Sequence, residues 1–371
     1  MSPVSRVAQR AIYALPALVM RELIVPSQDA SFDGVREYAF KHQILHHVAY
    51  DTVLKRTRRD YHAKVAAWMS GLSGARASDY LGAAGEHFEK AGDNTNASEF
   101  FARAAERAAA RYAHEVATGY VAGALAVMGK DAHPDDFLLR WRLVDVRERM
   151  LDLQGRRSEQ RTDIDALQQL ADAMDDDGRR GEVAWRRSDL ALRTADFRAM
   201  ESAARQAMVL AERAGDGLLG LRAQHRLANA LANLGDLQAS RAIAQEGLEL
   251  ARDQGLRQIE ALFMNALSVT ASQGDLMESL AIDQQQLAID RELGNRRSEA
   301  TTLGNLGWSW LSLGEHRAAK RHLEEGLRLI RMVGDRSAET YPLISLSQLA
   351  LREGENALAL AHGSYSGFPR R

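Results

Sequence analysis

A glycine, usually followed by Asp, Glu or Asn, recurs at intervals of roughly twenty residues through the second half of this chain. The marks are Gly215-Asp216, Gly235-Asp236, Gly255-Leu256, Gly274-Asp275, Gly294-Asn295, Gly314-Glu315, Gly334-Asp335 and Gly354-Glu355. Glycine ends a helix readily because it enters the left-handed region without a Cβ clash, and an Asp or Asn just after it caps the next helix. Each interval therefore reads as one helix of about four turns plus a tight turn. Two intervals make a repeat of about forty residues. Such a helix pair cannot bury its apolar face alone, so neighbouring pairs must stack into a superhelix.

The composition agrees with an all-α chain. It has 371 residues, six prolines, 6% aromatics and no cysteine, with a formal net charge of -2. Without cysteine there are no disulfides, thiolate zinc sites or cysteine nucleophiles, and a reducing cytoplasm is the expected location. The charge balance offers no global field toward nucleic acid or an anionic membrane. Ala11 to Met20 is apolar but short, contains Pro16 and reads as a core helix rather than a membrane span or signal peptide.

Residues 1–72 do not follow the repeat. Ile12 to Leu23 reads as a helix, Leu23 to Pro26 and Tyr38 to Phe40 as short strands about a polar turn at Ser27 to Gly34, and His42 to Met69 as one long helix. That order suits a small winged-helix-like unit, with Gly71 to Ser78 as the linker. From residue 80 to 371 the repeats are expected to run without a break in the fold. Gly85, Phe88, Gly92-Asp93, Ala97, Phe101 and Ala104 alternate small and bulky positions as two close antiparallel helices require. The pattern resembles the tetratricopeptide repeat. Small residues seven before the later marks are Ser188, Ala228, Gly307 and Ser347, with Leu267 the exception; those five after are Ser240, Ser279, Ala319 and Ala359, with Met200 the exception. HEAT and armadillo repeats share the length but do not predict Gly-Asp turns with these small positions. Between residues 112 and 196 the marks degenerate to Tyr112-Ala113, Asp131 to Pro134, Gly155-Arg156, Asp175 to Gly178 and Ala195-Asp196.

The block from Tyr38 to Leu54, YAFKHQILHHVAYDTVL, followed by Arg58-Arg59-Asp60-Tyr61-His62, resembles the segment closing the nucleotide-binding module of bacterial signal-transduction ATPases with numerous domains. These include class III adenylate cyclases and large regulators of the LuxR type. The resemblance implies a winged-helix remnant followed by a repeat sensor, with His42 at the position of a histidine that reaches the β-phosphate of bound ADP. The chain departs from that family in having no GxxxxGK[ST] loop, so no cradle for phosphates and no ATP turnover are expected of it. No cofactor is expected.

His42, His46 and His47, with His62 further along, could suggest metal because positions i and i+4 share a helix face, but the neighbour is Gln43 rather than a glutamate and no third ligand is evident, so packing or partner contact is favoured. The run Lys55-Arg56-Thr57-Arg58-Arg59 lacks accompanying base readers and reads as a solvated or docking face rather than a DNA contact. No Gly-x-Ser-x-Gly elbow is present, and the abundant carboxylates suit i to i+4 pairs.

In a tetratricopeptide-like stack the first helix of each pair lines the concave surface. That rule points inward Asp189, Asn229, Ser268, Trp308 and Gln348, and three residues before each small position Trp185, His225, Met264, Gly304 and Ile344, with Tyr341 nearby. Trp185 and Trp308 are the candidate anchors, with gap-filling between repeats as the competing role. Arg321, Glu324, Glu325 and Arg328 are expected on the outer face. The expected function is a non-catalytic arm that binds a protein, peptide or small inducer in its groove and regulates an ATPase, cyclase or transcriptional output. A stand-alone adaptor and an inactive fragment are the alternatives.

Overall fold

A computed structural model describes residues 13–27, 36–72, 77–129 and 133–354. The chain divides into two compact units, Met1–Phe100 and Phe101–Arg371. In the first, helix α1 (residues 13–20) leads into strands β1 (Ile24–Pro26) and β2 (Tyr38–Phe40), which pair antiparallel with Ile24 opposite Phe40. The polar turn expected at Ser27 to Gly34 falls almost wholly outside the described residues, as does the middle of the Gly71 to Ser78 linker. The long helix expected from His42 to Met69 is two helices, α2 (Gln43–Thr52) and α3 (Lys55–Ser70). The Thr52 hydroxyl donates to the Ala49 carbonyl and the Val53 N–H to Tyr50, which tightens the last turn and leaves Val53 and Leu54 extended. No proline or glycine marks that break. After α3 the chain forms a 3-10 turn at Ala77–Tyr80 and then α4 (Leu81–Ala91), which packs on α3. Helix α5 (Asn94–Ala110) crosses the division between the units.

The second unit continues with α6 (His114–Met128), a 3-10 turn at Pro134–Asp136, α7 (Phe137–Gln154) and α8 (Arg157–Ala173). Next come α9 (Asp177–Arg193), α10 (Phe197–Ala214), α11 (Gly217–Leu234), α12 (Leu237–Asp253) and α13 (Arg257–Ala271). Then follow α14 (Leu276–Leu293), α15 (Arg296–Ser312), α16 (His316–Val333), a 3-10 turn at Arg336–Ala338 and α17 (Thr340–Arg352). Consecutive helices from α7 onward pack on each other, and α9 with α11, α11 with α13 and α15 with α17 also touch. The odd-numbered helices thus form one layer and the even-numbered the other. This is an all-α solenoid of tetratricopeptide-like helix pairs.

The turns work as their chemistry demands. Gly215, Gly235, Gly294 and Gly334 take positive φ, and Asp216, Asp236, Asn295 and Asp335 each accept from the N–H three residues on. Ala195 and Asp175 hold the left-handed position where glycine is missing, followed by the caps Asp196 and Asp176. Two marks differ. Gly274 has no positive φ, because the Asp275 N–H reaches back to the Ala271 carbonyl, and Glu315 caps nothing with its side chain.

The small positions set the helix spacing. A Cβ at Gly307 would fall 2.5 Å from Leu323 Cγ, and Ser188, Ala228 and Ser240 are fully buried. Gly307→Leu is therefore expected to force α15 from α16 and to cost about 1 to 3 kcal/mol in chemical denaturation. An unchanged unfolding midpoint would show that these helices are not held at glycine distance.

Candidate ligand-binding site

The inner faces of α7, α9 and α11 carry charge at helical spacing. On α7 these are Asp145, Glu148 and Asp152, and on α9 Glu182, Arg186, Asp189 and Arg193. All but Arg193, together with Trp185, Arg222 and, from α15, Arg297, wall a cavity of about 650 Å³. The wall reaches from the first of these helices to the fifth pair because the solenoid bends back on itself. Arg297 donates to Asp152 at 2.8 Å and to Asp335 at 2.8 Å, and the 3-10 turn after α16 packs on α7.

Two ion-pair clusters lie at the cavity, the first on its wall and the second reaching it through Asp152, Asp189 and Arg297. In the first, Arg186 is 7% exposed and donates to Glu148, Asp145 and Glu182. Gln160 donates to the other oxygen of Glu148 at 2.8 Å. Burial pushes the Glu148 carboxyl up, against the pull of Arg186. Burial disfavours the Arg186 cation too, but the three carboxylates overcome it and raise the guanidinium above its usual range. In the second cluster Asp189 accepts from Arg226, while Arg157 and Arg193 approach Asp152 at 2.7 and 3.8 Å. Burial alone would raise Asp189, yet the field of Arg226, Arg193, Arg297 and Arg157 holds it at about 2. Burial and the neighbouring arginines lower Arg226 in spite of Asp189. The two buried arginines therefore shift in opposite directions, because three carboxylates outweigh burial at Arg186 and Asp189 does not outweigh it at Arg226. Between the clusters the Arg222 guanidinium lies 3.8 Å from the Trp185 ring centre and donates to Glu182 at 3.3 Å.

Of the residues singled out from the sequence, Trp185 and Asp189 come together here. His225 and Asn229 are 3% and 6% exposed and sit inside the layer of odd-numbered helices. Asn229 Nδ2 donates to His225 Nε2 at 3.0 Å, and the His225 ring meets Phe263 edge-on at 6.1 Å. Burial and then Arg226 push His225 down to about 3, so it is neutral. The curvature that closes the cavity packs α11 directly on α9 and α13, which hides these faces. Trp308 is half-buried, Tyr341 is exposed against Gly304, and Gln348 is exposed, all outside the cavity wall. Met264 and Ser268 are buried, Ile344 half-buried. Arg321, Glu324 and Arg328 are exposed and Glu325 half-buried. His42 is exposed before α2 and makes no capping bond. His62 pairs with Tyr50 at 2.9 Å and with His87 at 2.7 Å. Among the described residues no group of three His, Cys, Asp or Glu could hold a metal, and no helix is long and apolar enough to cross a membrane.

Sequence reasoning missed Arg186, Arg226 and Arg297. The available signal was the charged stripe along α9 at steps of four, three and four residues, with no apolar residue in it.

The fold and its inner cavity define a tetratricopeptide-type superhelix, a protein-interaction fold. Residues 221–254 and 260–332 match the tetratricopeptide repeat family. Among solved structures the chain is similar to a Rap protein complexed with competence and sporulation factor, at 12% identity and a TM-score of 0.52, over 72% of this chain and 75% of that one. It is also similar to a signal-transduction ATPase with numerous domains carrying a tetratricopeptide repeat sensor, from Pyrococcus horikoshii. There the identity is 11% and the TM-score 0.43, over 95% of this chain and 58% of that one. The apo quorum sensor NprR from B. thuringiensis follows at 13% and 0.41, over 72% and 74%. Comparison with curated proteins gives no match.

Proposed function

We propose that the second unit is a non-catalytic binding arm whose inner cavity captures a peptide or a peptide-like segment of a partner protein. The observation that supports this reading is the cavity itself. A tryptophan, a stacked arginine and both signs of charge converge in about 650 Å³, a size suited to a small ligand. The Rap structure, of the same fold, is a complex with competence and sporulation factor. Regulation of an ATPase, cyclase or transcriptional output is the further part of the proposal, and it rests on the resemblance of residues 38–54 to the signalling ATPases. The runner-up is a stand-alone adaptor.

An aromatic anchor is worth about 2 kcal/mol or more when truncated, so Trp185→Ala should weaken binding at least tenfold. The measurement is retention of peptides from a random library by the folded wild type, the Trp185→Ala variant and an outer-face Glu325→Ala control. Loss in the control with none in Trp185→Ala would remove the cavity from the reading.

A further inference from the structure

The two clusters lie about two turns apart along the same helices. Asp145 and Asp152 on α7, and Glu182 and Asp189 on α9, are each seven residues apart, about 10 Å along the axis at the helical rise. The helices run alongside in one direction, because Arg186 joins the earlier residues of both and Arg193 the later ones. At one end three carboxylates share the buried guanidinium of Arg186, and the other cations paired with them among the described residues are Arg149, more than half exposed to solvent, and Arg222, stacked on Trp185. At the other, four arginines converge on Asp152, Asp189 and Asp335, which leaves one cation in excess. Nε atoms of Arg186, Arg193 and Arg226 are buried with no acceptor.

We infer that the cavity takes a short zwitterion, a free peptide of about three residues, with its ammonium at Asp145, Glu148 and Glu182 and its carboxylate at Arg297. The inference rests on the peptide-binding reading above and adds which ends of the peptide are read. The length follows from the 10 Å separation, since an extended chain advances about 3.3 to 3.6 Å per residue. Arg297 is the member of the basic group on the cavity wall, and it comes from the fifth helix pair. A carboxylate held there would add an acceptor at the point where the solenoid closes. Trp185 lies between the two ends and would meet the middle side chain.

The test uses the full chain and three pools of random tripeptides: one with free termini, one N-acetylated and one C-amidated. Peptides retained at equilibrium are quantified by mass spectrometry. Retention from the free pool should exceed that from either blocked pool at least tenfold. Arg297→Gln should erase the preference over the amidated pool, and Glu182→Gln should reduce that over the acetylated pool. Equal retention from all three pools, sensitive to Trp185→Ala, would overturn the zwitterion while leaving peptide capture standing. No retention from any tripeptide pool, alongside Trp185-dependent retention of longer peptides, would overturn the zwitterion alone. No Trp185-dependent retention at any length would overturn both. The wild-type comparison decides the matter even where a variant fails to fold.

Discussion

Arg186→Ala should lower the unfolding free energy of the second unit by about 3 to 5 kcal/mol, the usual cost of removing one partner from a buried charge network. Glu148 is 4% exposed, and its remaining partner would be the Gln160 amide. Asp145 would retain Arg149, and Glu182 would retain Arg222, both nearer to solvent. Most of the loss should therefore come from Glu148, which must either stay ionised without a counter-charge or take up a proton. This makes two checks available in urea denaturation. Acidification from pH 8 to 5 should shrink the difference between variant and wild type, because protonation of Glu148 becomes easier as pH falls. Arg186→Met combined with Glu148→Gln should recover much of the loss, since it removes the charge together with its partner. A penalty below 1 kcal/mol, or one that does not respond to pH, would show that the network is not held closed at its centre.

The periodic part of the fold was legible because its determinants are local. A left-handed glycine and the Asp after it act within one turn, so Gly215-Asp216 or Gly334-Asp335 can be read in isolation. Gly274 shows the limit: the same dipeptide closes α13 through the Asp275 N–H, without a left-handed residue. The break between α2 and α3 carries no such mark. Only a hydroxyl back-bond and two extended residues make it. The cavity was half legible. Position in the repeat placed Trp185 and Asp189 on the inner layer, but the same rule pointed to His225 and Asn229, which the curvature buries. Curvature is a sum of small rotations over several pairs, and no single pair encodes it. The ion pairs that reveal it join residues 38 positions apart in Arg186 and Glu148, and 145 apart in Arg297 and Asp152. Sequence spacing cannot show which of many surface-type arginines will meet which carboxylate at that range.

Asp283→Asn is expected to stabilise the chain at pH 8, the reverse of what loss of a charged residue in a charge-laced protein would suggest. Asp283 lies on α14, has no exposed surface, and neither carboxylate oxygen makes a hydrogen bond of normal geometry. The Ser268 hydroxyl is engaged with Ser279 at 3.1 Å. Burial pushes the carboxyl up to about 7, with Ser268 pulling weakly the other way. The folded form thus holds a proton that the unfolded chain releases near 3.8. Below that pH both states are protonated and the group is neutral in its effect. As pH rises the unfolded state gains by ionising, so stability falls until the folded carboxyl also ionises near 7, and is level above it. At about 1.4 kcal/mol per unit the full penalty approaches ~4 kcal/mol, an upper bound for a site that can relax. Asparagine keeps the shape and removes the ionisation but leaves its amide donors unmet at a cost of about 1 to 2 kcal/mol, so a net gain of about 2 kcal/mol is expected at pH 8. The gain should grow between pH 4 and 7 and then flatten, and near pH 4 it should vanish or change sign. Equilibrium unfolding of wild type and Asp283→Asn at four pH values across that range measures it. A difference that stays constant with pH would mean that Asp283 is ionised in the folded chain and has found a donor or cation there.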